Sequence, residues 1–158
     1  MQMEPQYYFN NFVKPNYSEF CDDKGSIRKA FNAVVSLFHM TDNYFNYYKR
    51  KGDSRVSGFN EFKDFKIYMA NKTHYFNDIQ SIANAYKHLY TNSGKVHVTV
   101  ESSGAVYVED VDETSEIVDG NDLEHSFCNA VYYLKKDGTS VQVKDAMREM
   151  IKVWENIL

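Results

Sequence analysis

FNDIQSIANAYKHLY, Phe76 to Tyr90, sets Ile79, Ile82, Tyr86 and Leu89 three and four residues apart, the spacing of one helical face. Asn84, Lys87 and His88 lie beside or across from that face, so the densest group of chemically able side chains sits on an amphipathic helix. Asn92, Ser93 and Gly94 end it, and the helix is expected to run to about Thr91.

Working backward, Phe59, Phe62, Phe65 or Lys66, and Met69 keep helical spacing, with Asn71 and Thr73 as punctuation. Before a polar loop at 53–58, Ile27, Ala30, Phe31, Val34, Leu37, Phe38, Thr41, Phe45 and Tyr48 hold one face for about seven turns. Ser26 is the expected N-cap of this longest helix. Lys49, Arg50 and Lys51 suit the negative end of its dipole, and Gly52 stops it. The basic trio reads as a solvated helix end rather than a nucleic-acid contact. Residues 1–24 carry Tyr7, Tyr8, Phe9, Phe12, Val13, Tyr17 and Phe20 without a sustained period, and Pro5 and Pro15 interrupt any long helix, so they read as an aromatic arm on the body or at a dimer contact.

Working forward, the period changes from 3.6 to two. Val96, Val98 and Val100, a turn at 102–104, then Val106 and Val108 predict one hairpin; Phe127 to Leu134, Asp137-Gly138 and Ser140 to Val143 predict a second. The acidic run from Asp110 to Glu116 between them reads as a solvated loop rather than a cation site. Ala146, Met147, Met150, Ile151 and Trp154 make 145–158 a closing helix. The fold class is therefore α+β: an antiparallel four-helix bundle with a small antiparallel sheet of two hairpins inserted before the last helix. One domain covers 1–158, with the arm at 1–24, three helices at 26–91, hairpins at 95–143 and the last helix at 145–158.

Apolar residues make up 43% and aromatic residues 16% of the 158, with thirteen Tyr, so the core is built largely from rings. The formal charge of −4 argues against a broad surface for a phosphate backbone. Two cysteines, Cys21 and Cys128, fit neither a disulfide framework nor a zinc ribbon and read as ordinary partly buried thiols. The start lacks a signal-peptide pattern and no segment has the length of apolar sequence that spans a bilayer, so the chain reads as cytoplasmic with no membrane contact. His39, His74, His88, His97 and His125 are scattered over different elements, so neither a metal nor a cofactor is expected. Nucleophile elbows, Walker loops and dinucleotide fingerprints are absent from the sequence.

His39 and Asp42, three apart on the long helix, share a face on which the carboxylate could orient the imidazole. If the long helix and the 76–90 helix are antiparallel neighbours, His88, Asn84 and Lys87 could join them. That cluster is either an acid–base centre or a polar network that fixes helix register.

Ala83-Asn84-Ala85-Tyr86-Lys87-His88 resembles the Arg-Asn-x-x-x-His motif of HEPN domains, helical bundles that are often metal-independent ribonucleases in toxin–antitoxin, CRISPR and phage-defence systems. Asn84 and His88 match; Ala83 stands where the family has Arg, the group that would hold the phosphate under attack. FHMTDNYF and SIANAYKH also resemble small uncharacterised bacterial proteins with an HxxD-aromatic helix and an NxxKH helix. The resemblance implies a HEPN-like, non-catalytic module of a mobile-element or conflict system that binds a protein partner or dimerises. The alternative is a metal-independent endoribonuclease in which His88 is the general base or acid, Asn84 orients it and Lys87 replaces the missing Arg, with RNA disfavoured by the acidic charge. A small-ligand binding protein is a third reading, resting on architecture alone.

Overall fold

The computed structural model describes residues 3–87, 105–114 and 125–158, with side chains described at 3–85, 106–110 and 129–158. The protein is α+β and mostly helical, with a small antiparallel sheet. Its axis is α3, Ile27–Arg50, whose 24 residues bury Ala33, Val34, Leu37, Met40 and Thr41 completely. Ser26 caps it by accepting from the Lys29 N–H at 3.3 Å. At the other end the Gly52 N–H returns to the Lys49 carbonyl (3.2 Å) and the Asp53 N–H to the Tyr48 carbonyl (3.0 Å). That pair of bonds requires a left-handed residue at its centre, and Gly52 supplies it with φ of 64°.

The segment expected as an irregular arm is helical: α1 (Pro5–Tyr8), a wide π turn (Phe9–Val13) and α2 (Lys14–Cys21). Pro5 stands in the first turn of α1, where its missing N–H costs nothing, whereas Pro15 opens α2 directly after helical backbone, so the bond it cannot donate falls beside the π turn. The π turn, in which the Lys14 N–H reaches back to the Phe9 carbonyl, joins the two pieces. Phe9, Val13 and Phe20 are the buried face, whereas Tyr7 and Phe12 are exposed, and these outward rings hid the period.

Helices α4 (Phe62–Lys72) and α5 (Tyr75–Lys87) follow, α4 opening on a reciprocal capping box between Glu61 and Asp64. The sheet comprises β1 (Ala105–Thr114), β2 (His125–Leu134) and β3 (Ser140–Gln142), antiparallel in the order β1, β2, β3. The acidic residues Asp110 to Glu113, expected in a loop, belong to β1, where they face Asn129 to Ser126 of β2. Strand pairing outweighed local polarity there. The predicted strand at 96–100 and its turn lie outside the described residues. Between β2 and β3, Gly138 has φ of 85° and the Asp137 carboxylate accepts from the Thr139 N–H at 2.9 Å.

The last helix, α6 (Val143–Ile157), brings a fully buried Trp154 to the centre of the core. Its ring lies 5.4 Å from that of Tyr44, which stacks on Phe65 at 5.6 Å. Helix α3 thereby touches α2, α4, α5 and α6, and one apolar cluster runs through all of them. Burial raises the Tyr44 hydroxyl to a pKa of about 12, with nearby Tyr48 adding to the effect. Among the described residues no helix is long and apolar enough to cross a membrane.

Candidate functional site

Helix α5 turns a continuous apolar edge inward: Phe76, Ile79, Ile82, Ala83 and Ala85 are buried. Asn84, between two buried alanines, is exposed, so it faces solvent and not a buried network. Lys87 is the final residue of α5, and its side chain and the whole of His88 lie outside the described residues.

His39 is exposed on α3 and lines a surface groove of about 260 Å³ with Tyr8, Phe12, Asn16, Asn32 and Ser36. Tyr8 and Phe12 stack there at 5.4 Å, and the Tyr8 hydroxyl donates to the Ser36 carbonyl at 3.2 Å. Burial raises the Tyr8 pKa, and the charge of Asp42, one turn beyond His39, adds to the rise. His39 and Asp42 are thus both directed toward the N-terminal helices, and the described lining of the groove contains no residue of α5.

The buried polar centre of the described protein is elsewhere and was not singled out by the sequence. Asp78, 9% exposed in the first turn of α5, accepts a 2.8 Å hydrogen bond from the Tyr133 hydroxyl of β2, and the Lys135 ammonium lies 3.6 Å from the same oxygen. Burial is the main cause of a strongly raised Tyr133 pKa, reinforced by the bond to Asp78 and that carboxylate's charge. A signal existed: Asp78 is three residues after Tyr75 and four before Ile82, so it falls on the apolar stripe. An acid in a first helical turn, however, ordinarily reads as a dipole partner in solvent.

Chemically, one hydrogen bond from the Tyr133 hydroxyl and the nearby Lys135 ammonium hold the Asp78 carboxyl in place, which suits anchoring a sheet to a helix. Among the described residues no three His, Cys, Asp or Glu side chains gather as a metal-binding set. Comparison with protein-family models, with curated proteins and with solved structures finds no match.

Proposed function

We propose that this chain is a HEPN-like bundle without nuclease activity that acts by binding a protein partner or a second copy of itself, in a mobile-element, phage-defence or toxin–antitoxin setting. The reading takes α3, α4, α5 and α6 as the four bundle helices, since α3 touches each of the others. The observation that carries it is Ala83. At the position where the motif has its Arg, this chain has a methyl group that is 5% exposed and belongs to the same apolar cluster as Ile79 and Ile82. The helix face that would offer a guanidinium to phosphate is spent on packing, and a phosphate ligand there would have to leave the core.

A ribonuclease built on His88, Asn84 and Lys87 is the competing reading, and the exposure of Asn84 favours it, because that amide is open to a substrate. Purified protein incubated with RNA in chelator separates the two. No cleavage is expected from the wild type. Cleavage that disappears in a folded His88→Ala variant would establish the nuclease and overturn the proposal.

A further inference from the structure

The net charge of −4 conceals a strong segregation. Residues 49–72 hold seven Lys and Arg against three Asp and Glu, a net of +4, so the other residues, with 11 cationic and 19 acidic, carry −8. The basic stretch covers the end of α3 and all of α4, and it borders a second surface groove, between α4 and α5, of about 280 Å³. Lys63, Lys66, Ile67, Asn71, Asn77 and Gln80 line it, over a floor that includes the buried ring of Phe76.

Three properties of this groove identify what fits it. First, its cations are available: no described carboxylate lies within ion-pair distance of Lys63 or Lys66, and the nearby Asp64 is occupied in the helix cap, accepting from the Glu61 N–H at 3.1 Å. Lys66 is held in place with its ammonium 5.2 Å from the Phe62 ring centre, and Lys72 likewise 5.0 Å from that of Tyr68. Second, Ile67 is 53% exposed at the middle of the cationic row, an apolar contact point with nothing of this chain over it among the described residues. Third, Asn77 and Gln80 on α5, followed one turn later by the exposed Asn84, form a row of amides able to pair with a peptide backbone.

We infer that the groove between α4 and α5 is the partner-binding surface and that it takes an acidic, partly apolar segment of a protein in extended form. This rests on the reading of the chain as a protein-binding module. Carboxylates on the segment meet Lys63 and Lys66, an apolar side chain covers Ile67, and the amides of α5 hold the backbone. The 11 residues of α4 span roughly 16 Å, the length of about five extended residues. A short segment of that size feels mainly the local positive charge, because screening in physiological salt acts over about 8 Å. A long nucleic acid would also meet the −8 of the rest of the chain, and its phosphates have no use for an exposed isoleucine.

The test uses the full chain and two fluorescein-labelled probes, a peptide of about eight residues alternating aspartate and leucine, which covers the α4 span with margin, and a uridine octamer. Anisotropy should report binding of the peptide, and Lys63→Glu with Lys66→Glu should weaken it at least about tenfold at unchanged helicity. Ile67→Ser should weaken it as well, and the octamer should bind more weakly than the peptide. Should the glutamate pair fail to fold, Lys63→Gln with Lys66→Gln gives the same comparison. Equal peptide binding by wild type and variants, no peptide binding at all, or tighter binding of the octamer that the lysine changes abolish, would overturn the inference. Co-purification of both forms keeps the two ideas apart. A stoichiometric partner retained by the lysine variant removes this face and leaves the module, whereas no partner with either form, together with no peptide binding, removes the module too.

Discussion

The hydroxyl of Tyr133 donates a 2.8 Å hydrogen bond to the carboxylate of Asp78, joining β2 to the first turn of α5 across 55 residues of sequence. Tyr133 is 1% exposed, so its hydroxyl cannot exchange this bond for water. Tyr133→Phe should cost about 1–3 kcal/mol, and Asp78→Ala, which leaves the hydroxyl unpaired in the core, should cost at least as much. Urea unfolding measures both; midpoints equal to wild type would mean that the sheet is anchored by other contacts.

Alkaline pH should loosen the same core. The Tyr44 pKa is raised to about 12, and that of Tyr133 is raised further in the same direction. A folded-state pKa above the unfolded value means that the stabilisation is fully present below the unfolded value of 10.0 and is lost as pH rises through the folded value. Each such tyrosine should therefore remove about 1.4 kcal/mol per pH unit above pH 10. Thermal melts between pH 9 and 11 should show this fall, and it should be shallower in Tyr44→Phe. A flat profile would contradict the burial of these hydroxyls.

Ala83 and Asn84 should respond in opposite ways although they are neighbours. Ala83→Arg forces a long cation into a position that is 5% exposed and should cost roughly 1–3 kcal/mol or more by overpacking. Asn84→Ala, on the solvent side, should stay within about 0.5 kcal/mol of wild type. Paired denaturation curves check this. A stable, folded Ala83→Arg protein would show that α5 can rotate that position outward.

Gly25 is tested by adding a methyl group. A Cβ there would lie 2.6 Å from the Asn129 Cβ of β2, closer than real side chains approach, where the Lys24 carbonyl also accepts from the Val131 N–H at 3.0 Å. Gly25→Ala should destabilise by about 1–3 kcal/mol, and Asn129→Gly should recover part of that loss in the double variant. Additive losses would mean that the loop at Gly25 does not bear on β2.

Much of the helical framework was legible because periodicity and caps agreed. Ser26, the apolar row from Ala30 to Tyr48 and Gly52 each predict the same boundaries for α3, and the structure has them there. Where outward-facing rings mixed with inward ones, at Tyr7, Tyr8 and Phe12, the period of α1 and α2 was lost. Charge misled in the opposite sense at Asp110 to Glu113, because strand pairing is a long-range property that local polarity does not report. The Asp78–Tyr133 bond was out of reach for the same reason: each residue is ordinary in its own element, and only their meeting makes them a centre. The α4 to α5 groove was legible in halves, a helix with Lys63 and Lys66 and a helix with Asn77, Gln80 and Asn84, while their packing edge to edge was not.

The mass of the protein as it leaves its own cells tests the central claim most directly. Light scattering on the gently purified full chain should give a value well above the 18.5 kDa of one chain, with a second polypeptide or a second copy in fixed ratio. A monodisperse species of one chain, active on RNA in chelator and inactive as His88→Ala, would contradict the account.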